Sequence, residues 1–386
     1  MRVVGGTYVE RCASPRRIEL LGSGGRAARA LADRPGVVTL DTFAASEAQP
    51  DLRAIFGPTG VDLRVHRAPS AVEFHYLHEL ARPRLQPMEV SWAGIVDVRG
   101  EIVLRYGCIE GSFRCVADTA VFDPQSSRPE PFHANGSHAR RAALVANRRE
   151  FEALTGAPFD PETVAAYARH EAFDVVVVKS GPAGAWVVEP GHPIERVPAY
   201  RSGGVAKIGS GDVFGAAFAR SWAERGLRAA DAADMASRHV ADYVSDRRLP
   251  LAAAPAATDP IRAGDGTVTA VIVAAGSGMV ADWLVAEAVT ALDDVGVVAV
   301  SVLSTPSYDL RRMVARADLL VALTVEDAGW CADACALAVG MGRPALGLVA
   351  TSEGGAARRL ADAGATVLTD LATLAYEATW SAVAHE

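Results

Sequence analysis

The sequence predicts an α/β protein in which two doubly wound domains are joined by a linker. Short runs of β-branched residues alternate with alanine-rich stretches of helical periodicity along most of the chain, a pattern typical of sheets that helices cover on both faces. The chain has 386 residues, a length that favours at least two domains. Residues 249–266 are rich in Ala, Pro and Gly and have no apolar period, so they are expected to form the linker.

Composition and charge limit the function classes. Half of the residues are hydrophobic and 22% are charged, which predicts a folded chain with sizeable cores. A net charge of −8 argues against a broad nucleic-acid or anionic-membrane surface. No apolar run reaches the roughly 20 residues that a membrane span needs. An odd number of cysteines, five, predicts no disulfide framework, hence a reducing, cytoplasmic location.

The first domain is predicted to span residues 1–248 and the second residues 267–386. In the first, strand signals occur at 36–43, 142–154, 173–181 and 185–191, and helical periodicity occurs at 161–172 and 213–226. The polar, Pro-rich segment 121–139 is expected to be a loop that follows a strand and lies near the cleft. In the second, five strand signals occur at 267–278, 296–304, 317–325, 343–350 and 365–383. Five strands in about 120 residues suit one small doubly wound domain.

Residues 207–219, KIGSGDVFGAAFA, place Gly209, Ser210, Gly211 and Asp212 where a helix is predicted to begin. Glycines let backbone N–H groups point the same way, and a helix N-terminus adds partial positive charge. Such a turn stabilises negative charge on a phosphoryl group, and an aspartate at its rim is placed to take a proton from an attacking hydroxyl. The alternative is an aspartate that caps a helix after a flexible turn.

The same stretch resembles the signature of the ribokinase-like (PfkB) carbohydrate kinases, with Ser210 and Ala217 in place of the usual Ala and Gly. Other elements of that family are resembled, in order, by residues 3–10, 22–32, 144–156, 175–188 and 232–244. The resemblance covers roughly residues 1–248. It implies a doubly wound ribokinase-like domain, here with a reduced lid because the domain is shorter than expected for the family.

The resemblance implies phosphoryl transfer from ATP, with Mg²⁺, to a hydroxymethyl group of a sugar or nucleoside. It implies Asp212 as the base and the amides of Gly209, Ser210 and Gly211 as the anion hole. The remaining implied residues are Lys179, Gly181, Gly184, Asn147 and Lys207 for ATP, Asn147 and Glu150 for Mg²⁺, and Glu10, Gly24, Gly25 and Arg26 for the sugar. Taken alone, Asn147 and Glu150 also fit a helix-capping pair, and Gly181 and Gly184 fit a hairpin turn.

Three departures from the family pattern concern the substrate. Glu10 stands where the family often has a sugar-binding Asp, and Arg26 and Arg29 stand where an Asn is usual. The two arginines have two interpretations. They either bind a substrate that already carries a phosphate, or they lie on a solvated helix face. Lys207 replaces one of the usual threonines and either assists the phosphates or lies on the surface.

The second domain opens with a relaxed G-x-G-x-x-A pattern, Gly276, Gly278 and Ala281, but its second strand lacks the acidic residue expected for a dinucleotide ribose. Residues 317–349 resemble the nucleoside 2-deoxyribosyltransferase-like family, which implies a small flavodoxin- or Rossmann-like domain. The matching positions are Asp318, Asp327, Gly329, Asp333, Gly342, Arg343 and Pro344. Trp330 replaces the usual Thr, and Asp333 replaces the catalytic Glu with a shorter carboxylate, which weakens the case for catalysis. Cys331 and Cys335, on the same predicted helix, are either core residues or two thiols of a metal site.

The function expected from these patterns is an ATP- and Mg²⁺-dependent sugar or nucleoside kinase with a C-terminal nucleoside-binding or N-glycosidic domain. Two alternatives stay open. One is a nucleoside N-glycoside hydrolase or deoxyribosyltransferase whose first domain only binds a ligand, and the other is a non-catalytic nucleotide sensor. The expected partners are a small-molecule substrate and, since the resembled family forms lid-mediated dimers, a second copy of the chain. No nucleic-acid or membrane partner is expected.

Overall fold

The computed structural model describes residues 1–33, 36–126, 128–261, 267–325, 329–350 and 352–383. The chain divides into two compact units. The first comprises residues 1–76 and 83–261, and the second comprises residues 77–82 and 262–386. Within the described residues, no helix is both long and apolar enough to cross a membrane.

The first unit is built on a nine-stranded sheet. Its strands are β1 (Arg2–Val4), β4 (Thr39–Ala44), β5 (Asp62–Arg67), β8 (Ile95–Tyr106), β9 (Ser112–Asp123), β10 (His138–Asn147), β11 (Val175–Lys179), β12 (Ala185–Val188) and β13 (Glu195–Val197). They lie in the order β13-β12-β11-β10-β9-β8-β1-β4-β5. All neighbours from β11 to β5 are parallel, and β12 and β13 are antiparallel. The carboxyl ends of seven strands therefore share one edge of the sheet.

Strands β8 and β9 are strongly bent. Each has 12 residues, and they pair in parallel from Ile95–Ser112 to Tyr106–Asp123. A straight strand of this length measures about 40 Å, but the connection from Tyr106 to Ser112 spans at most about 22 Å. The chain can make this connection only if both strands bend sharply.

Two smaller sheets accompany the large one. A four-stranded sheet has the order β3-β2-β6-β7, and a two-stranded sheet pairs β14 with β15. The strands of these sheets are β2 (Val9–Ser14), β3 (Arg17–Leu20), β6 (Glu73–His78), β7 (Arg84–Gln86), β14 (Ala199–Tyr200) and β15 (Pro260–Ile261).

Helices cover the large sheet on both faces. They are α1 (Gly22–Leu31), α2 (Gln49–Phe56), α3 (Arg148–Thr155), α4 (Pro161–His170), α5 (Ser210–Ala219) and α6 (Ala229–Asp246). Successive strand residues point to opposite faces, so Val3 belongs to the apolar cluster with α1, α5 and α6, and Val4 belongs to the cluster with α3 and α4. This arrangement is the doubly wound fold that strand–helix alternation predicted.

The segment 249–261, which composition marked as the start of a linker, lies in the first unit. Leu251 is buried in its core, and the Leu251 N–H donates to Ala30 O. Ile261 pairs with Ala199 in the two-stranded sheet. Residues 262–266 lie outside the described part of the chain.

The second unit has a five-stranded parallel sheet in the order β17-β16-β18-β19-β20. Its strands are β16 (Val268–Ala275), β17 (Val297–Leu303), β18 (Leu319–Thr324), β19 (Ala345–Leu348) and β20 (Thr366–Leu368). Its helices are α7 (Met279–Asp294), α8 (Leu310–Arg316), α9 (Gly329–Gly340), α10 (Gly355–Asp362) and α11 (Leu371–Val383). In sequence order this is the 2-1-3-4-5 arrangement of a flavodoxin-like sheet. The expectation of a second, small parallel α/β fold is confirmed.

Candidate active site

Four strands of the first unit end in polar side chains at one edge of the sheet. Tyr106 and Asp123 are register partners at the ends of β8 and β9, and Asn147 and Lys179 are partners at the ends of β10 and β11. Parallel strands bring residues from distant parts of the sequence side by side in this way. The carboxyl edge of such a sheet is where α/β proteins bind ligands.

Helix α5 begins beside this edge. Gly209 precedes it with φ +85°, a left-handed conformation that favours glycine, and no side chain caps the helix. Of the three amides expected to form the anion hole, the Ser210 N–H already donates to Lys207 O at 3.1 Å. The N–H groups of Gly209 and Gly211 have no hydrogen-bond acceptor among the described residues. An anion can therefore be held by the Gly209 and Gly211 amides and by the positive end of the helix.

Asp212 lies buried in the first turn of α5. Its Oδ2 accepts a hydrogen bond from Arg26 Nη1 at 2.7 Å, and its main-chain carbonyl accepts one from the Tyr106 hydroxyl at 2.7 Å. The Tyr106 contact requires a glycine at 215, because a Cβ there would lie 2.7 Å from the hydroxyl oxygen. Burial raises the pKa of Asp212, and the positive charge of Arg26 opposes that rise.

Arg26, on α1, is the centre of a buried charge cluster. Its side chain is completely buried, so it is not part of a solvated helix face, whereas Arg29 is half-buried. Arg26 pairs with Glu10 on β2, with Asp212, and with Glu19 Oε2 at 3.2 Å. Arg247, after α6, pairs with the same Glu19 oxygen at 2.6 Å. Three carboxylates and two guanidinium groups thus offset one another's charge, with Glu10, Arg26 and Asp212 buried and Glu19 and Arg247 partly exposed.

A second charge cluster flanks the N-terminus of α5. Lys179 Nζ donates to Asp123 Oδ2 at 2.6 Å and would lie 3.5 Å from a Cβ on Gly211. Burial disfavours the ammonium form of Lys179, but Asp123 and Glu150 outweigh burial and raise its pKa. Burial and the charge of Asp123 raise the pKa of Glu150 to about 7. Lys207 Nζ donates to Ser210 Oγ at 3.1 Å, which brings a second ammonium group to the same turn.

Asn147 and Glu150 form the capping pair that their spacing allowed. Asn147 Oδ1 accepts from Glu150 N–H at 2.9 Å, and Glu150 Oε2 accepts from Asn147 N–H at 2.8 Å. Glu150 Oε1 accepts no hydrogen bond from the described residues and stays available to a cation. The described part of the chain holds no group of three His, Cys, Asp or Glu side chains arranged around a metal. Mg²⁺ keeps several of its own waters and needs few protein ligands, so Glu150 Oε1 fits it through water.

The glycines expected to line the ATP and sugar sites have close-packing roles. Gly181 and Gly184 form the turn between antiparallel β11 and β12, and a Cβ on Gly184 would lie 2.0 Å from Val197 O. Gly24, at the start of α1, packs against the backbone of Gly5 at the end of β1, where a Cβ would lie 2.7 Å from its carbonyl carbon. Next to it, Gly25 faces the side chain of Thr7. These contacts let α1 begin directly against the sheet edge.

The candidate residues of the second unit that the structure describes come from the turn after β16 and from α9. Gly276, with φ +128°, lies in the turn between β16 and α7. Asp333 is exposed on α9, and Asp327 lies outside the described residues. Cys331 and Cys335 are fully buried among apolar side chains of the same helix, which supports the core interpretation of that pair. All five cysteines lie in the described part of the chain, and none of them forms a disulfide.

The structure adds Tyr106, Glu19 and Arg247 to the site, and it places Asp123, from the segment 121–139 that was expected near the cleft, at the end of β9. Tyr106 and Asp123 end strands that are rich in apolar residues, and this position is a usable sequence signal for a sheet-edge site. Glu19 and Arg247 are 228 positions apart in sequence and contact each other only through the fold. No spacing pattern in a single sequence predicts such a pair.

Comparison with known proteins supports the resemblance over part of the first unit. Residues 139–241 match the model of the pfkB family carbohydrate kinases. Among curated proteins, no sequence relative of the chain was found.

Solved structures of sugar kinases resemble the chain at low identity. Ribokinase from Arabidopsis thaliana, complexed with ribose and ATP, is 17% identical over 64% of this chain and 95% of its own, with a TM-score of 0.48. Ribokinase from Thermotoga maritima is 16% identical over 65% of this chain and 95% of its own, with a TM-score of 0.47. Phosphofructokinase-2 from Escherichia coli is 15% identical over 65% of this chain and 96% of its own, with a TM-score of 0.47. The segment 139–241, which carries Asn147, Glu150, Lys179 and Asp212, is thus similar in sequence to the pfkB family of carbohydrate kinases.

Proposed function

We propose that the chain is an ATP-dependent phosphotransferase that phosphorylates a hydroxymethyl group of a sugar or nucleoside. The observation that carries this proposal is the position of Asp212, a buried carboxylate in the first turn of a helix whose Gly211 amide is free of protein acceptors. The proposed base, Asp212, and the proposed anion-binding amide of Gly211 therefore belong to adjacent residues. Two ammonium groups, Lys179 and Lys207, lie at this turn.

Each of these groups has a task in phosphoryl transfer. A bond forms between the acceptor oxygen and the γ-phosphorus of ATP, the bond from that phosphorus to ADP breaks, and the acceptor proton passes to Asp212. The Gly209 and Gly211 amides and the helix N-terminus stabilise the negative charge on the transferred group. Lys179 and Lys207 attract the donor phosphates. Bound Mg²⁺, held through water by Glu150 and Asn147, would supply positive charge at the same phosphates.

The first prediction tests Asp212 as the base. ADP formation from ATP and Mg²⁺ is measured with pentoses, hexoses, myo-inositol and nucleosides as acceptors. Asp212→Asn keeps the size of the side chain but takes up no proton, so we expect a loss of about 10²–10⁴-fold in kcat for any acceptor that is turned over. The control, Asp118→Asn, changes an exposed aspartate of β9 and is expected to leave turnover unchanged. Absence of turnover with the whole panel, or equal turnover by D212N and the unchanged chain, contradicts the proposal.

For the second unit we propose nucleoside or nucleotide binding in preference to N-glycosidic cleavage. Its 2-1-3-4-5 strand order places the Gly276 turn at the carboxyl end of β16, where neighbouring strands lead to helices on opposite faces of the sheet. Asp333, the candidate nucleophile, is exposed and has no hydrogen-bond partner among the described residues. An exposed carboxylate with no orienting contact is poorly prepared for covalent attack.

The second prediction separates binding from cleavage. Nucleosides are incubated with the full chain and with Asp333→Ala, and free base is measured by chromatography alongside calorimetric titration. We expect binding heat in both proteins and no base release in either. Base release by the unchanged chain that D333A abolishes would instead establish the glycosidic alternative.

A further inference from the structure

The two carboxylate oxygens of Asp212 have different surroundings. Oδ2 receives the Arg26 guanidinium at 2.7 Å, whereas Oδ1 accepts no hydrogen bond from the described residues. Arg26 therefore occupies one side of the carboxylate and leaves the other side to an incoming group. The difference between the surroundings of the two oxygens therefore arises from side chains of this chain.

Burial and several contacts hold the Arg26 guanidinium in its position. Its side chain is completely buried, and Nη2 is bonded to Glu10 and Glu19. The α-carbon of Gly209 lies directly against it, because a Cβ there would be 2.2 Å from Arg26 Nε. The glycine that opens α5 thus makes room for the arginine that contacts Asp212.

Charged and titratable groups of both signs face Asp212. Arg26 on α1 and Lys179 on β11 favour its ionised form, whereas Asp123 on β9 opposes it. Glu10 on β2 also opposes ionisation, since Asp212 raises the pKa of Glu10 and the effect is mutual. The negative charge of Asp212 contributes to a raised pKa of four phenols, those of Tyr8, Tyr76, Tyr106 and Tyr243. Arg26 is the cation in direct contact with the carboxylate.

We propose that Arg26 is a positioning residue: it holds Asp212 by Oδ2, turns Oδ1 towards the acceptor hydroxyl and keeps the carboxylate ionised. The proposal rests on the proposed function, because it assigns the role of base to Asp212. Glu10 has the opposite effect on the base, since it shares the Arg26 guanidinium and adds a like charge. Arg26 and Glu10 together then set the pH range in which Asp212 accepts a proton.

The experiment compares two substitutions with opposite expected effects. The dependence of kcat/KM on pH is measured for the panel acceptor with the highest turnover. Arg26→Met removes the cation, so the acidic limb of the profile should move to higher pH by about 1–3 units. Glu10→Gln removes the like charge and keeps an acceptor for Arg26, so the limb should move to lower pH. Arg53→Met, which changes an exposed arginine of α2, is the control and should leave the limb in place.

A second measurement needs no acceptor. Difference infrared spectroscopy of the full chain follows the protonation of buried carboxyl groups, and subtraction of D212N variants isolates the Asp212 signal. If no acceptor is turned over, the kinase proposal fails, but the titration midpoint of Asp212 still decides the role of Arg26. We expect this midpoint to rise in R26M and to fall in E10Q.

Two results overturn the proposal. One is an unchanged limb and midpoint in both variants, and the other is a shift of both variants in the same direction, which a general structural disturbance would produce. If R26M fails to fold, E10Q alone tests the proposal, which requires the acidic limb and the Asp212 midpoint of E10Q to move to lower pH. Arg26→Lys, which retains a charge but reaches fewer partners, should lie between R26M and the unchanged chain.

Discussion

Glu110, in the loop between β8 and β9, is a buried carboxylate without a cation beside it. It is 2% exposed, and no ion pair involves it among the described residues. Burial raises its pKa from 4.5 to about 7. Its Oε2 accepts a hydrogen bond from Ile109 N–H at 3.1 Å, and the main-chain N–H groups of Glu110 and Ile109 lower its pKa by less than burial raises it. A buried carboxylate that must ionise at neutral pH reduces the stability of the folded chain.

The resulting prediction concerns stability against pH. The folded state holds the Glu110 proton more tightly than the unfolded state, so its stabilising effect is complete below pH 4.5 and is lost as the pH rises to about 7. Glu110→Gln should therefore raise the free energy of unfolding at pH 8 by up to about 3 kcal/mol and change it little at pH 4.5. Urea unfolding at both pH values measures this, with exposed Glu101→Gln as the control. An equal effect of E110Q at the two pH values would count against it.

At the scale of single residues, sequence patterns succeeded where chemistry depends on local order. The run from Gly209 to Asp212 predicted a helix start with an acidic residue in its first turn, and the structure has that arrangement. Arg26 could not be assigned in the same way, because an arginine on a helix has the same sequence spacing whether it lies on a solvated face or in a buried ion-pair cluster. Its partner Asp212 is 186 positions away.

At the scale of elements, the start of α5 depends on a glycine for two separate reasons. Gly209 has φ +85°, and Arg26 fills the space where a Cβ would be. Gly226 also has a positive φ, +71°, but it has open space around its Cβ position. A comparison of the two glycines therefore distinguishes the cost of a strained backbone from the cost of a steric clash.

Substitution at the two sites should have unequal costs. Gly226→Ala meets only the left-handed backbone penalty of about 1–2 kcal/mol. Gly209→Ala meets that penalty and also displaces Arg26 from Asp212, so we expect a clearly larger loss in the free energy of unfolding. Denaturant unfolding of both variants measures the difference. Equal losses would show that Arg26 moves aside without cost.

Periodicity predicted several buried strands correctly because a strand in such a sheet has to bury at least one face. The strand signals at 142–154 and 365–383 each cover a strand followed by a helix, β10 then α3 and β20 then α11. The predicted strands at 173–181 and 317–325 are β11 (Val175–Lys179) and β18 (Leu319–Thr324). Strand β8 was not predicted, and β9 was predicted only as a strand before residue 121, since exposed and buried residues alternate over only part of the length of each strand. Their partners, rather than their own residues, determine how far they extend.

At the scale of the whole molecule, two domains were predicted and two compact units are present, with different limits. Residues 249–261 look like a linker in composition, but buried Leu251 and paired Ile261 assign them to the first unit. Residues 77–82 belong to the second unit although they precede it by almost 200 positions, and buried His78 pairs there with Glu287 at 2.8 Å. Amino-acid composition cannot show that a segment so distant in sequence belongs to the second unit.

The sequence by itself determined the α/β class, the two parallel sheets and the polar residues at the start of α5, because these follow from periodicity and from local backbone chemistry. Only the tertiary structure decided that Arg26, Glu10, Glu19 and Arg247 form one buried cluster around Asp212, and that Asp123 pairs with Lys179. The physical reason is that a buried charge requires an opposite charge within a few ångströms. Which residue supplies that charge depends on strand order and helix packing, and residues far apart in sequence meet only when the sheet has formed.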